Sequence, residues 1–348
     1  MTISTHPRPD NKEHQSTFPA RNNNFERNVS VASAEILPAP AKAFSTDSAV
    51  EVLNFAIQTL EAGRQVALCT LVEIRGGSSR SLGAHMAVAD GGLYCGYVSG
   101  GCTEAAVAAE ALQAISKGHD RFVMLGEGSP FFDIVLPCGG GVTVAVHVLQ
   151  DIRPIRQVIE GLECRCQTGL SYNPGSQSLS FVAGNADAGW DDEVFLTSYR
   201  PAVRILLSGR TLEVEIAAKV ARAAGYEVLC YDAATGEAPD EALIDAHTAV
   251  ALLQHDLELE TPVLDAALHA RPFYLGALGS RRTHEKRMQR LRDLGHSQAV
   301  IDRIKAPIGL FGRARDAQSL ALSVIADIAA CRQAALSRTS ASHHIRRS

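Results

Sequence analysis

The sequence predicts an α/β protein: an N-terminal α/β domain followed by a C-terminal Rossmann-like, doubly wound parallel-sheet domain. Three observations carry that expectation. Beyond Pro201, strand-like and helix-like runs alternate in the rhythm of βαβ units. Upstream, two short strands of a hairpin give way, after a Gly-Gly pair, to helical spacing at Ala105, Val107, Ala108, Ala111, Leu112 and Ile115. Finally, 348 residues are long for a single core, so two domains plus tails are expected.

Residues 1–45 are rich in proline, asparagine and serine, carry mixed charge and sustain no period, and read as a disordered tail. The first domain is expected over 46–150. Ser45-Thr46-Asp47 offers an N-cap for a helix with Val50, Leu53, Ile57 and Leu60 on one face and Gly63 at its end. A strand over 65–74 feeds the polar loop Gly76-Gly77-Ser78-Ser79-Arg80-Ser81. Strands over 85–89 and 93–98 flank Asp90-Gly91-Gly92, a tight turn in which glycine tolerates positive φ. Ser99-Gly100-Gly101-Cys102-Thr103-Glu104 then carries the chain from strand to helix, which ends near Lys117-Gly118. Further strands are expected over 121–125 and 142–149, with a second glycine-rich turn, Leu136-Pro137-Cys138-Gly139-Gly140-Gly141, between them.

Residues 151–200 read as a β-rich linker. A hairpin over 170–172 and 178–182 turns at Asn173-Pro174-Gly175-Ser176, and a strand over 193–199 stops at Pro201. The Rossmann-like domain is expected over 201–335, with strands at 203–207, 227–231, 248–253 and 273–278 and helices reaching 224 and spanning 259–270 and 320–330. Residues 336–348 read as a second tail.

Composition narrows the function classes. Hydrophobic residues make up 46 % of the chain and charged residues 20 %, ordinary values for a soluble globular protein. A net charge of −5 gives no reason to expect nucleic acid or an anionic membrane as partner. No apolar run approaches a membrane span, and the polar N-terminus lacks signal-peptide order, so a cytoplasmic chain with reduced thiols is expected. The eight cysteines show no Cys-x-x-Cys pair, and no Cys/His spacing points to a structural zinc site.

Chemistry is expected where a strand becomes a helix. Free backbone N–H groups are expected to point outward at the glycine pair of Ser99-Gly100-Gly101-Cys102, and the helix dipole favours an anion there or a thiolate at Cys102. Arg80, in the loop before the hairpin, offers paired donors to a phosphate. Glu104 has two readings: a ligand contact, or a cap on the free N–H groups. Cys138, beside Gly139, is equally open between a functional and a structural role.

These residues resemble the N-terminal signature of the XdhC/CoxI family, accessory proteins that mature xanthine dehydrogenase and related molybdenum hydroxylases. The resemblance rests on Gly76, Ser78, Arg80, Gly83-Ala84, Met86, Gly96, Ser99-Gly100-Gly101-Cys102 and Glu104, with a similar Cys-Gly-Gly at 138–140. Where the family places prolines beside the arginine and before Gly83, this chain has Ser79 and Leu82. Gly279-Ser280-Arg281-Arg282, the Pro307-Ile308-Gly309-Leu310 turn and the last helix resemble the family's C-terminal domain. Phe311 and Ser319 stand where the family usually has acids.

The turn after the first strand of the second domain reads Ser208-Gly209-Arg210-Thr211, where the family has two glycines around an alanine. Arg210 puts a long side chain where backbone should approach a pyrophosphate, and Asp232 stands where a ribose-binding acid would. NAD(P) is therefore not expected as a cofactor. Residues 278–315 hold ten Lys/Arg against three Asp/Glu, a net +7, and Gly279-Ser280-Arg281 presents a helix N-terminus suited to phosphate.

No catalytic dyad can be assembled, so catalytic residues are not assigned and a maturation chaperone is expected rather than an enzyme. What the resemblance implies is a protein that binds molybdenum cofactor (molybdopterin), protects it during sulfuration and inserts it into an apo molybdenum hydroxylase. Cofactor contacts are expected at Ser78, Arg80, Ser99, Gly100, Gly101, Cys102, Glu104, Cys138, Gly139, Gly279, Ser280 and Arg281, with Cys102 as molybdenum ligand. The expected partners are the hydroxylase large subunit, a cysteine desulfurase and a second copy in a homodimer. The alternative from another class is an NAD(P)-dependent oxidoreductase using the C-terminal sheet.

Overall fold

A computed structural model describes residues 37–129, 139–184, 187–232, 234, 237–311 and 314–344, with side chains described up to 335. The expected tail at 1–45 lies outside the described residues as far as 36. From Leu37 the chain is placed, and strand β1 (Ala41–Lys42) pairs parallel with strand β4 (Leu93–Gly96).

The first sheet has six strands. Besides β1 and β4 it contains β2 (Val66–Arg75), β3 (His85–Ala89), β5 (Arg121–Gly126) and β6 (Gly141–Val148), in the order β1-β4-β3-β2-β6-β5. Strand β2 reads as a near-continuous apolar run because both of its faces are covered. Ala67, Cys69 and Leu71 pack with helix α2 (Glu104–Lys117), while Val66 and Leu68 pack with helix α1 (Ala49–Glu61) and helix α3 (Arg153–Glu163). The N-cap of α1 is Ser48, whose side chain accepts from the Glu51 N–H at 3.4 Å, rather than the Ser45-Thr46-Asp47 run.

Residues 151–200 are more than a connection. They form α3 and a four-stranded antiparallel sheet of β7 (Thr168–Asn173), β8 (Ser178–Ala183), β9 (Gly189–Asp191) and β10 (Val194–Tyr199), in the order β8-β7-β10-β9. This sheet packs on the first one. Tyr199 from β10 meets His85 of β3 at 2.5 Å, Tyr172 of β7 donates to Asp120 at 2.9 Å, and the Trp190 indole donates to the Val72 carbonyl at 3.2 Å, beside the bulge in β2. Helix α3 was not anticipated, although Pro154 in its first turn and Ile155, Val158, Ile159 and Leu162 carry the 3.6-residue period.

The second half is the expected doubly wound sheet. Strands β11 (Arg204–Ser208), β12 (Glu227–Tyr231), β13 (Thr248–Leu252) and β14 (Tyr274–Ala277) are all parallel and run in the order β12-β11-β13-β14. Ile205, Leu207, Ala249 and Ala251 pack under helices α4 (Leu212–Ala223) and α8 (Ala317–His344). Leu206, Val250 and Leu252 face helices α5 (Leu257–Ala270), α6 (Arg281–Asp293) and α7 (Gln298–Ile301). The backbone of α8 continues to His344, past the position where a tail was expected.

Arg165 joins the two halves. Between α3 and β7, with φ +57, it donates to Asp245 at 2.5 and 3.0 Å, to Glu227 at 3.0 Å and to the Ala202 carbonyl at 3.1 Å. Burial alone would raise the Asp245 carboxyl, but hydrogen bonds from Arg165, Thr248 and the His247 N–H outweigh it and hold the group down to about 2.

Candidate functional site

Antiparallel pairing decides which loops meet. The loop from β2 to β3 (76–84), the loop from β4 to α2 (97–103) and the described ends of the loop from β5 to β6 all leave the six-stranded sheet at the same edge. The polar loop, the Gly100-Gly101 turn and residues 139–141 are therefore neighbours. Gly140 lies against Gly77 so closely that a Cβ there would sit 2.5 Å from the Arg75 carbonyl and 2.7 Å from that of Gly77. Across the same edge, a Cβ on Gly100 would come 3.2 Å from Ser79 Oγ. Cys138 lies outside the described residues, while Gly139 beside it is exposed with φ +70.

Glu104 organises this edge. Only 1 % exposed, its carboxylate accepts the Ser99 N–H at 2.8 Å, the Ser99 hydroxyl at 2.9 Å and the Thr103 N–H at 3.2 Å. The capping reading thus describes Glu104 in this structure, and its side chain is committed to the loop. Thr103 occupies the N-cap position of α2 without a side-chain cap bond, and its hydroxyl is buried with no protein partner among the described residues.

Above that floor the exposed residues are those of the turn. Gly100, Gly101 and Cys102 are solvent-facing, with Cys102 Sγ 3.8 Å from Ser99 Oγ. Arg80 stacks over the Tyr97 ring at 5.3 Å, donates to the Ser99 carbonyl at 3.3 Å and pairs with Asp47 at 3.3 Å. Both bonds are at the long end of the useful range, so a phosphate can compete for them. Ser78 Oγ accepts the Arg80 N–H at 3.2 Å and shapes the turn. Tyr97, Asp47 and Ser79 stand beside Arg80 or the glycine turn, a placement that only spatial proximity reveals.

Gly279, Ser280 and Arg281 sit on the other sheet, where β14 enters α6. Ser280 is the N-cap, accepting the Thr283 N–H at 3.3 Å, and the side chain of Arg281 is 95 % exposed. No hydrogen bond or ion pair among the described residues links this trio to the signature loops.

The dinucleotide turn is occupied by the chain's own charges. Arg210 donates to Asp232 at 2.6 Å, so the residue expected to block a pyrophosphate and the acid expected at a ribose are bonded to each other. Close by, a Cβ on Gly209 would come 3.3 Å from the Leu253 carbonyl oxygen, to which Thr211 Oγ1 donates at 3.2 Å. Ser208 Oγ and Gln254 Nε2, at the ends of adjacent strands β11 and β13, are buried without protein partners among the described residues. Open parallel sheets bind ligands at this reversal of strand order.

Comparison with known proteins agrees with this architecture. Residues 205–328 match the XdhC Rossmann domain, and residues 59–126 match the XdhC and CoxI family. The chain is 50 % identical over 293 residues to the molybdenum cofactor insertion chaperone PaoD of Escherichia coli (strain K12), covering 84 % of this chain and 92 % of that protein. It is 26 % identical over 270 residues to the uncharacterized protein YqeB of the same organism, of which it spans 42 %. A crystal structure described as a xanthine dehydrogenase from Bacillus halodurans shares the fold, with a TM-score of 0.62 at 17 % identity over 81 % of this chain and 96 % of that one. Among the described residues no helix is long and apolar enough to cross a membrane. The chain belongs to the XdhC and CoxI family.

Proposed function

We propose that this protein binds molybdenum cofactor at the loop edge of its six-stranded sheet, protects it while its sulfido ligand is installed, and inserts it into an apo molybdenum hydroxylase of the xanthine dehydrogenase type. The observation that carries this reading is the pairing of an exposed thiol, Cys102, with the exposed glycine turn Gly100-Gly101 and the lightly held guanidinium of Arg80. The donor set suits the cargo. Molybdenum bound to sulfur is met by a soft thiolate, and the pterin phosphate by N–H and guanidinium donors. The Thr103 hydroxyl, buried without a protein partner among the described residues, adds a further polar group at the floor of the turn.

The relative at 50 % identity, named as a molybdenum cofactor insertion chaperone, supports the role. In this reading Cys102 holds the metal, Arg80 and the glycine turn hold the phosphate end, and Cys138 and Gly139 supply further cofactor contacts. Ser280 and Arg281 give a second anion contact on the other sheet. A cysteine desulfurase supplies sulfur, the hydroxylase large subunit receives the cofactor, and the protein works as a homodimer in the cytoplasm. It carries no NAD(P) and catalyses no reaction of its own.

Anaerobic purification followed by molybdenum and pterin analysis tests the reading. Wild-type protein is expected to carry both and to activate apo-hydroxylase, whereas Cys102→Ser, which keeps size and polarity, loses molybdenum and activation. Equal molybdenum load and equal activation by a folded Cys102→Ser variant would remove Cys102 from the site. Wild-type protein that carries neither metal nor pterin would overturn the reading as a whole.

A further inference from the structure

Away from the signature loops, helix α5 carries Asp265 and His269 four residues apart, hence on one face a turn apart. Helix α6 ends opposite them. Its last turn closes with the Gly295 N–H donating to Arg292 at 2.9 Å and the His296 N–H donating to Leu291 at 3.0 Å, with Gly295 at φ +93. That left-handed glycine turn delivers His296 to α5, where Nε2 lies 2.6 Å from Asp265 Oδ1. The two imidazole rings stand 5.3 Å apart, tilted by 56°. One donor atom from each of Asp265, His269 and His296 lies within 4.8 Å of the other two.

From this geometry we propose that Asp265, His269 and His296 form a binding site for a divalent transition-metal ion, one that joins α5 to the α6–α7 turn. The tautomer of His269 is already set: Nδ1 donates to the Asp265 main-chain carbonyl at 2.9 Å, which leaves the lone pair on Nε2. Such a hydrogen bond from the second ring nitrogen is the usual support of a metal-bound imidazole. His296 is held by its helix-end turn, while His269, with a side chain 60 % exposed, is free to close on an ion. Metal–ligand bonds of about 2.0–2.1 Å put tetrahedral ligand atoms about 3.3 Å apart, so the Asp265–His296 pair at 2.6 Å opens slightly while the wider separations, all within 4.8 Å, close by up to about 1.5 Å.

Two imidazoles and one carboxylate suit zinc, cobalt, nickel or copper. Calcium and magnesium prefer all-oxygen shells. Three protein ligands leave a coordination position for water. Because α5 starts at the carboxyl edge of the parallel sheet and runs back, this cluster lies toward the opposite edge from the Arg210 turn. The ion's role there is to pin the end of α6 to α5. The Asp265–His296 hydrogen bond is the contact an ion would replace.

The test uses the full chain, stripped with EDTA and kept reduced, titrated with cobalt(II) chloride and zinc sulfate. Wild-type protein is expected to show cobalt d–d bands without a thiolate-to-cobalt charge-transfer band, and a melting temperature that rises with zinc. His296→Ala and, on the exposed side, His269→Ala are each expected to weaken binding about tenfold or more. Cys230→Ser, at an exposed thiol away from the signature loops, is expected to bind like wild type. Equal cobalt binding by wild type and His269→Ala, a charge-transfer band showing sulfur ligation, or no binding in the micromolar range would each overturn the site.

Discussion

The Glu104 carboxylate grips Ser99 twice, taking its main-chain N–H at 2.8 Å and its hydroxyl at 2.9 Å from a position 1 % exposed. A buried acid thus ties the start of α2 back to the end of the preceding turn, and Gly100, Gly101 and Cys102 are presented on that staple. Glu104→Gln keeps the shape but replaces an acceptor oxygen by an amide donor facing other donors. Loss of charge-assisted hydrogen bonds is expected to cost about 1.5–3 kcal/mol. A thermal melt should therefore fall by several degrees, and cofactor retention should fall with it; an unchanged melting temperature would show that the staple is dispensable.

Arg80→Lys separates charge from geometry. Lysine keeps the positive charge but not the planar fork or the stacking over Tyr97. Cofactor affinity is expected to fall about tenfold, the equivalent of one lost charged hydrogen bond, with the melting temperature unchanged. Equal affinity in a direct binding measurement would reduce this loop to ordinary structure.

Arg210 and Asp232 predict the nucleotide behaviour of the second sheet. Their mutual ion pair occupies both ends of the turn that would cradle a dinucleotide. Titration calorimetry of wild-type protein with NAD or NADP is expected to show no micromolar binding. Arg210→Gly removes the side chain and frees Asp232, so measurable binding should be gained. Micromolar affinity in the wild type would contradict this account of the turn.

His85 makes stability depend on pH. It is buried between Thr70 Oγ1 at 3.0 Å and the Tyr199 hydroxyl at 2.5 Å, and burial pushes its pKa down to about 4 from 6.5. The unfolded chain therefore binds the proton first. The stability held by neutral His85 is complete above pH 6.5 and is lost progressively as pH falls toward 4, by roughly 3 kcal/mol at most. Melting temperatures across that window should fall more steeply for wild type than for His85→Gln. Parallel slopes would assign the acid sensitivity elsewhere.

Much of the fold was legible because it is written locally. Period-two alternation marked β3 residue for residue, and Glu227–Tyr231 was readable as β12 from its apolar run before Asp232. The alternation of strands and helices after Pro201 announced a parallel sheet, as the four strands β12-β11-β13-β14 show. Glycine at 100 and 101 marked the strand-to-helix turn because a change of backbone direction there needs freedom from a side chain.

Contacts between distant residues were decided only by the tertiary structure. Arg210, read as an obstacle to a pyrophosphate, and Asp232, standing where a ribose-binding acid would, meet only because β11 and β12 are adjacent. The meeting of Gly77 with Gly140, and of His296 with the Asp265–His269 face, spans stretches of chain in which no local preference records the approach. Dihedral and burial preferences act residue by residue and survive in the sequence pattern. Proximity across the chain is set by how whole sheets and helices pack, and a linear pattern of residues does not carry it.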